Sequence, residues 1–257
     1  MLENVLISVI TVCFNAEKTI KRTLESVLRQ EGVEFEYVIV DGNSSDATLK
    51  IIGEEVNLAQ KNVRVISEPD KGIYDAMNKG VRLAHGKYVI FMNAGDAFYD
   101  SHTLETIELN IRSEDDVLYG DHYAVLGNRR RLHPATKKNG IGRYLFCHQA
   151  SVTRRELLLE MPFDTKYRIL ADSDFFDKQY MRGRVFHYLS CPLAYFDLDG
   201  VSTKCVDENR EEQRKIGNSM KFSACRIKKY VRSRISCALP LWIRSLRYKK
   251  YSDPWSS

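Results

Sequence analysis

The sequence predicts an α/β fold in which a mostly parallel central sheet is covered by helices on both faces. Three apolar runs in the first 100 residues each lead into a polar turn: LISVITVCFN (6–15), YVIVDGNSSD (37–46) and YVIFMNAGD (88–96). Strands that alternate with helices at this spacing pair in parallel through right-handed crossovers. We therefore expect a Rossmann-like three-layer α/β/α sandwich, with ligands bound outside the carboxyl ends of its strands.

The first 100 residues account for four strands and three helices. Short apolar, β-branched runs predict strands at 5–11, 37–40, 63–67 and 88–92. Between them, apolar residues recur at helical spacing, which predicts helices. These residues are Ile20, Leu24, Val27 and Leu28, then Leu49, Ile52 and Val56, then Ile73, Met77, Val81 and Ala84. Ser45 or Asp46 is placed to cap the second helix, and Gly86 follows the third.

The second half continues the same domain with a weaker pattern. Strands are predicted at 117–119 and 188–196, and helices at 153–160 and 172–180. We therefore expect one α/β domain over residues 1–203, made of two halves at 1–100 and 101–203.

The remaining residues, 204–257, differ in charge. They carry 14 Lys and Arg against 5 Asp and Glu, whereas residues 1–203 have a net charge of −4. From Ile227 to Ala238 apolar and basic residues can occupy opposite faces of a helix, a pattern that fits an anionic membrane surface. A helix packed on the body with a solvated basic face explains the pattern equally well.

Composition limits the location of the protein. Six cysteines show no zinc spacing, which favours reduced thiols. No apolar run reaches the roughly 18 residues that cross a bilayer, and the N-terminus MLEN does not resemble a signal peptide. We expect a cytoplasmic protein, peripheral at the inner face of the cytoplasmic membrane if its basic tail binds lipid.

Acidic residues at two strand ends are candidates for a nucleotide site. The sequence lacks GxGxxG and the Walker pattern, which disfavours ordinary dinucleotide oxidoreductases and P-loop NTPases. Asp41 ends an apolar strand where a carboxylate can accept hydrogen bonds from a base or ribose, although simple turn chemistry is the alternative. Asp46 is better explained as a helix cap. Asp96, in NAGD, is placed to bind a divalent cation that bridges to a diphosphate.

Four motifs in order resemble those of family 2 glycosyltransferases. They are VITVCFN, VIVDGNSSDAT, SEPDKGIYDAMNKG and FMNAGD, and a weaker likeness continues through HQASVTRREL and FDTKYRILADSDFF. Within the family, the chain is most similar to the small transferases of bacterial exopolysaccharide and O-antigen assembly, including the colanic-acid type.

The resemblance implies a GT-A fold and an inverting transfer of sugar from a nucleotide sugar, usually a UDP-sugar, with a nucleotide-sugar half at 1–100 and an acceptor half at 101–203. It also implies the roles of several residues. Thr11, Phe14, Asn15 and Asp41 are expected at the base and ribose, Lys71 and Gly72 beside the pyrophosphate, and Asn78 and Asn93 on the donor side. His148 and Gln149 are expected to line the acceptor cleft, although a structural histidine is an equal alternative.

The catalytic and metal residues depart from the family pattern. Asn93 and Gly95 stand where most members have the two acids of DxD, so only Asp96 is left for Mg²⁺ or Mn²⁺. In ADSDFF, Asp172 takes the place of the family's base, and we prefer it to Asp174.

The sequence thus predicts a metal-assisted glycosyltransferase acting on a saccharide acceptor, lipid-linked, in surface polysaccharide biosynthesis. Three rivals remain. A nucleic-acid-binding protein fits the basic tail, but the negative body argues against it, and we expect no nucleic-acid partner. A nucleotidyltransferase would need a glycine-rich N-terminal loop, which residues 9–15 lack. A catalytically degenerate sugar-nucleotide-binding protein would fit the incomplete DxD.

Overall fold

The computed structural model describes residues 5–59, 63–137, 144–198, 211–212, 215–216, 249–250 and 255. Within these ranges the helices are α1 (Ile20–Leu28), α2 (Thr48–Ala59), α3 (Ile73–Leu83), α4 (Thr103–Asn110), α5 (Arg155–Glu160) and α6 (Ala171–Met181). The strands are β1 (Ile7–Cys13), β2 (Phe35–Asp41), β3 (Val63–Ser67), β4 (Tyr88–Phe91), β5 (Ala97–Phe98), β6 (Val117–Leu126), β7 (Arg129–His133), β8 (Thr136–Lys137), β9 (Tyr144–Leu145), β10 (Ser151–Arg154), β11 (Phe186–Asp197) and β12 (Lys249–Lys250).

The central sheet has the order β12-β7-β6-β10-β4-β1-β2-β3, with β11 paired to β6 and β5. Strands β4, β1, β2 and β3 are mutually parallel, as the sequence predicts. The second half adds antiparallel strands, because β10 lies between β4 and β6 and runs against both. The predicted α/β class with a mostly parallel central sheet is confirmed.

Strand β1 lies at the centre of three layers, and all seven of its residues are buried. Its side chains alternate between the two faces of the sheet. Ile7 and Val9 pack in one apolar cluster with residues of α1 and α2, whereas Ile10 and Val12 pack in a second cluster with α3. The unbroken apolar run in the sequence reflects this burial on both faces.

The carboxyl ends of the first strands lie side by side. Cys13 of β1 aligns with Asp41 of β2, which aligns in turn with Ser67 of β3. The chain turns sharply after the first two strands at Asn15 (φ 47°) and Asn43 (φ 66°), and asparagine tolerates this left-handed conformation better than most residues. Polar side chains from three strand ends therefore meet at one edge.

Two details of the predicted helices are wrong. In α3 the buried face includes Tyr74, which is 5% exposed, whereas Ile73 is 40% exposed. The helix predicted at 153–160 begins only at Arg155, because Thr153 and Arg154 belong to β10 and pair with β4. Their partners in β4 lie more than 60 residues earlier, so no local pattern reveals them.

The described part of the C-terminal region packs on the body. Ile216 is 2% exposed and belongs to the cluster that includes α3, and Trp255 is 5% exposed and donates its indole N–H to the carbonyl of Phe98 (2.8 Å). The predicted amphipathic helix, 227–238, lies outside the described residues. Among the residues that the structure describes, no helix has the length and apolar character needed to span a bilayer.

Candidate active site

Asp41 organises the turn after β2. Its Oδ2 accepts hydrogen bonds from the Ser44 amide (2.9 Å) and the Ser67 hydroxyl (2.7 Å), and its Oδ1 accepts one from the Ser44 hydroxyl. Burial acts to raise the pKa of Asp41, but these donors outweigh it and lower the pKa. The carboxylate is therefore ionised at neutral pH. Its side chain has no accessible surface here, so direct contact with a nucleotide base stays a prediction.

Phe14 and Asn15 follow β1 beside this turn. Phe14 is 62% exposed, which is unusual for a phenylalanine next to a buried strand. The side-chain oxygen of Asn15 accepts a hydrogen bond from the Ser45 backbone amide (2.9 Å), and the backbone N–H of Asn15 donates to the Ser44 hydroxyl (2.8 Å). An added side chain at Gly42 would overlap the carboxylate of Asp70 and lie 3.2 Å from the Phe14 ring. A glycine here thus lets the exposed ring and the 70–72 loop approach each other.

Lys71 and Gly72 lie in the loop that opens α3. Gly72 has φ 117°, a conformation that suits glycine, and its amide donates to the Asp70 carboxylate (2.8 Å). The Lys71 side chain is exposed, and no partner for its ammonium is found in the described ranges. We call the five predicted residues of this edge, Phe14, Asn15, Asp41, Lys71 and Gly72, the turn group. Four of the five are exposed, and Asp41 lies beneath them.

Asp172 lies in the first turn of α6 and is held on both oxygens. Its Oδ1 accepts hydrogen bonds from the Tyr74 hydroxyl (2.9 Å) and the Ser173 amide (2.7 Å), and its Oδ2 accepts one from His148 Nδ1 (2.8 Å). Burial acts to raise the pKa of Asp172, but the hydrogen bond and charge of His148, with the other donors, lower it. The side chain is 18% exposed. It is an ionised carboxylate that retains access to solvent.

His148 connects Asp172 to Asn93. Because Nδ1 donates to Asp172, a neutral ring leaves Nε2 as an acceptor, and the Asn93 amide lies 3.1 Å from it. Asn93 is 6% exposed, and its Oδ1 is buried with no hydrogen-bond partner in the described part of the chain. The sequence placed these two residues on opposite sides of the site, whereas the structure brings them into contact.

Asp96 is a buried carboxylate held by neutral donors. The Gln149 amide (2.7 Å) and the backbone N–H of Asp197 (3.0 Å) each donate to one of its oxygens. Burial raises the pKa of Asp96 to about 6, although these hydrogen bonds act to lower it. Gln149 is only 2% exposed, so its side chain supports Asp96 rather than lining an open cleft. We call the six connected residues Tyr74, Asn93, Asp96, His148, Gln149 and Asp172 the carboxylate network.

The oxygens of Asn93 and Asp96 suit a divalent cation. Both are hard donors, and Asn93 Oδ1 is a buried acceptor without a partner in the described residues. Within the described ranges, no three His, Cys, Asp or Glu side chains cluster to hold a metal. Magnesium is often held by one or two protein carboxylates with substrate phosphates and water. The residues present therefore fit a cation that a diphosphate helps to hold.

Two predicted donor residues belong to neither group. The Thr11 side chain is fully buried, and its hydroxyl pairs with Tyr37 (2.8 Å) and the Met92 carbonyl (2.7 Å). The Asn78 amide makes two hydrogen bonds with the backbone of Phe163 (2.9 and 3.0 Å). Both side chains make hydrogen bonds inside the fold. A contact between either one and the nucleotide-sugar donor stays an untested prediction.

In two places the sequence offers two acids close together, Asp41 with Asp46 and Asp172 with Asp174. The structure gives the two members of each pair different surroundings. Asp46 accepts from the Thr48 amide (3.0 Å) at the start of α2, as the helix-cap interpretation predicts. Asp174 is 2% exposed and pairs with Lys178 (2.6 Å), so it lies away from the carboxylate network. This arrangement favours Asp172 over Asp174 as the functional acid.

Tyr74 is the one member of the carboxylate network that the sequence analysis did not name. Its hydroxyl donates to both Asp172 and the carbonyl of Ile169 (2.7 Å), and burial raises its pKa well above the ordinary range. Only one signal was available, namely a tyrosine two positions after Gly72. A buried tyrosine hydroxyl needs a partner, but the sequence alone does not identify that partner.

Comparison with known sequences identifies related proteins. The family model for glycosyl transferase family 2 matches residues 8–187. A PGL/p-HBAD biosynthesis glycosyltransferase of Mycobacterium tuberculosis is 32% identical over 208 residues, which are 78% of this chain and 80% of that protein. The amylovoran biosynthesis glycosyltransferase AmsB of Erwinia amylovora is 27% identical over 217 residues, 77% of this chain and 71% of that protein.

Solved structures show the same fold. TarS of S. aureus, residues 1–349 in complex with UDP-GlcNAc, aligns with TM-score 0.67 and 21% identity over 92% of this chain and 77% of that chain. The mannosyltransferase PcManGT of Pyrobaculum calidifontis, in complex with GDP-Man and Mn²⁺, aligns with TM-score 0.65 and 15% identity over 91% and 70%. The expected GT-A architecture is confirmed. Because the family model spans most of the chain, the protein belongs to glycosyl transferase family 2 and is a glycosyltransferase.

Proposed function

We propose that this enzyme transfers a sugar from a nucleoside-diphosphate sugar, a UDP-sugar, to a saccharide hydroxyl with inversion at the anomeric carbon. The observation that carries the proposal is the carboxylate network. It joins an ionised acid, Asp172, through His148 to the side-chain amide of Asn93, whose backbone carbonyl accepts a hydrogen bond from the Asp96 amide. Gln149, the residue after His148, in turn holds the Asp96 carboxylate. An inverting transfer needs these two features close together, a base for the acceptor and a site for the departing diphosphate.

The turn group is the proposed nucleotide pocket. The exposed Phe14 ring offers a surface on which a base can stack, and the ionised Asp41 fixes the turn beside it. Lys71 brings a positive charge to the loop at the start of α3, which suits a diphosphate. A likeness to a protein solved with UDP-GlcNAc supports a uridine nucleotide.

Asp172 is the proposed general base. The acceptor hydroxyl loses its proton to the carboxylate as its oxygen forms a bond to the anomeric carbon. The bond from that carbon to the phosphate oxygen breaks on the opposite side, and its electron pair leaves with the nucleoside diphosphate. Because the pKa of Asp172 is lowered, the carboxylate is in its basic form at neutral pH. His148 and Tyr74 hold it in a fixed orientation.

Asp96 and Asn93 are the proposed protein ligands of Mn²⁺ or Mg²⁺. When bound, the cation neutralises negative charge on the leaving diphosphate. The mannosyltransferase solved with Mn²⁺ supports this choice of cofactor. His148 and Gln149 orient these ligands. His148, whose side chain is 13% exposed against 2% for Gln149, is the residue of the pair that we place next to the acceptor.

The proposed acceptor is a lipid-linked saccharide in the biosynthesis of a surface polysaccharide. Relatives named for PGL/p-HBAD biosynthesis and for amylovoran biosynthesis support this class. Residues 204–257, with their net charge of +9, would attract the enzyme to anionic lipid at the cytoplasmic face at about 1 kcal/mol per well-placed basic residue. Flotation with anionic and neutral vesicles tests this location, and equal recovery with both would contradict it.

Calorimetry with UDP-, GDP- and dTDP-sugars, each with Mn²⁺ or with a chelator, tests the function. We expect one UDP-sugar to bind, more tightly with Mn²⁺, and Asp96→Ala to abolish the effect of the metal. Asp46→Ala, a change to an acid outside the site, should leave donor affinity unchanged. Failure of every nucleotide sugar to bind would contradict the proposed function.

A further inference from the structure

The carboxylate of Glu212 binds three consecutive backbone amides just before α6. Its Oε1 accepts from the Arg168 amide (2.6 Å), and its Oε2 accepts from those of Ile169 (2.9 Å) and Leu170 (3.0 Å). The side chain is 7% exposed. Glu212 lies in the C-terminal region, 42 to 44 residues after the amides that it binds.

Three features make this contact strong. Amides at the start of a helix have no partner within the helix, so an external acceptor is needed to satisfy them. A charged acceptor forms stronger hydrogen bonds than a neutral one and interacts favourably with the helix dipole. Ile216, four residues after Glu212, is 2% exposed in the apolar cluster that also contains Tyr167 and Phe175. The segment that carries Glu212 is therefore anchored next to the loop it binds.

The bound loop leads directly to the base. The carbonyl of Ile169 accepts a hydrogen bond from Tyr74, and the same hydroxyl donates to Asp172 Oδ1. The amide and the carbonyl of Ile169 are thus held from two sides, by Glu212 and by Tyr74. A shift of this loop would move the start of α6 and change the distance from Asp172 to Tyr74 and His148.

We propose that Glu212 is a positioning residue for the general base. By fixing the backbone of residues 168–170, it holds Asp172 within hydrogen-bond reach of Tyr74 and His148 while the acceptor is deprotonated. The inference rests on the proposed role of Asp172 as the base. It assigns to the C-terminal region a part in the chemical step, apart from any role in membrane binding.

The test compares Glu212→Gln with Glu211→Gln in the full-length protein. Glutamine keeps the size of the side chain but loses its charge and presents N–H groups to the backbone donors. Glu211 is the matched control, because it is the adjacent acid, is 66% exposed and pairs with Lys215. Two quantities are measured: the pKa of Asp172 by NMR of ¹³C-labelled aspartate, with Asp172→Asn identifying the signal, and the kcat for UDP release from the donor sugar.

We expect Glu212→Gln to raise the pKa of Asp172 toward its ordinary value, because the hydrogen bonds that lower it are loosened. We also expect kcat to fall about ten-fold or more, with unchanged donor affinity, since misplacement of a reacting group is costly. Glu211→Gln should change neither quantity. Glu212→Asp keeps the charge on a shorter side chain, and it should give intermediate values and a folded protein if Glu212→Gln does not fold.

A lower melting temperature with an unchanged Asp172 pKa and kcat would overturn the proposal, because Glu212 would then be a structural residue only. An unchanged Asp172 pKa in Glu212→Asp would overturn it too. The base assignment is tested separately. If Asp172→Asn keeps its turnover, the proposed base is wrong, whereas the NMR titration still reports whether Glu212 positions Asp172.

Discussion

The turn group and the carboxylate network lie at the same edge of the sheet but are assembled differently. The hydrogen bonds around Asp41 and Asn15 join residues 3 to 30 positions apart. The side-chain hydrogen bonds between members of the network join residues 24 to 98 positions apart, from His148 with Asp172 to Tyr74 with Asp172. The first region follows from local turns at strand ends, whereas the second exists only once both halves of the domain have packed together.

The two regions also differ in how completely their polar atoms are satisfied. Asp41 accepts hydrogen bonds on both oxygens, and the group exposes one large apolar ring. The network contains a buried Asn93 oxygen without a partner in the described residues, and a carboxylate, Asp96, whose pKa is raised to about 6. The difference is explained if the turn group is a binding surface that is already formed without ligand, whereas the carboxylate network is completed when a cation binds. Substitutions in each region should therefore affect different quantities.

The largest effect is expected at Asp172. Asp172→Asn keeps the size of the side chain but cannot accept a proton, so kcat should fall by about 10²- to 10⁴-fold. Donor affinity should stay within about two-fold, because the turn group is untouched. Turnover is measured as UDP release, and binding by calorimetry.

Asp174→Asn is the matched control for this change. It removes the partner of Lys178 and should lower stability while leaving the turnover of folded enzyme unchanged. Equal losses of turnover in the two variants would show that a disturbance of α6, rather than the loss of the Asp172 carboxylate, lowers the turnover.

Phe14→Ala should weaken donor binding and leave kcat at saturation unchanged. Stacking of a base on an aromatic side chain contributes about 1 to 3 kcal/mol, which corresponds to about a 5- to 150-fold loss of affinity. Phe14→Tyr keeps the ring and should bind normally. Calorimetry with UDP provides the measurement, and normal affinity in Phe14→Ala would place the base elsewhere.

Asn78→Ala separates a structural role from donor binding. Because Asn78 satisfies the buried N–H and carbonyl of Phe163, its loss should cost about 2 kcal/mol of unfolding free energy and lower Tm by about 4 to 8 °C. Donor affinity should not change. A loss of donor affinity without a loss of stability would restore the role near the sugar that the sequence suggested.

The smallest effect concerns the pH dependence of stability through Asp96. Its folded-state pKa of about 6 exceeds the ordinary value of 3.8, so the folded protein binds this proton more tightly than the unfolded chain. The stabilisation is complete below pH 3.8 and is lost as pH rises through about 6. With chelator present, lowering the pH from 7 to 5 should therefore stabilise the protein by about 1 kcal/mol through this group.

Asp96→Asn removes the titrating carboxyl. Comparison of this variant with the wild type therefore separates the contribution of Asp96 from those of other groups that titrate in the same range. The unfolding free energies of the wild type and the variant are measured in denaturant at pH 5 and pH 7. The difference between the two proteins should change by about 1 kcal/mol between these two pH values. An unchanged difference would mean that Asp96 is ionised throughout this range.

Sequence reasoning predicted the first half well because its signals are local. Strand β3 matches its predicted bounds, and the polar turn after β2 holds the helix cap Asp46 as expected. Phe14 could be assigned to the nucleotide site only through family resemblance, because its 62% exposure depends on neighbours in space.

The second half was harder to predict because pairing between distant segments decides it. No local pattern marks Thr153 as a strand residue, and none connects Tyr74 to Asp172 across 98 positions. His148 and Asn93 were assigned to opposite sides of the site, yet they are in contact. The sequence named every member of the carboxylate network except Tyr74, whereas the hydrogen bonds between the members required the structure.

The bond between Glu212 and the amides of residues 168–170 has a consequence for the order in which the enzyme becomes active. Chains fold from the N-terminus while they are being synthesised, so the four parallel strands, complete at Phe91, can pair early. The amides before α6 stay without their acceptor until residue 212 has been made and has reached the body. A nascent chain would thus gain its proposed donor pocket before its aligned base, and transfer would begin only after residue 212 has been translated.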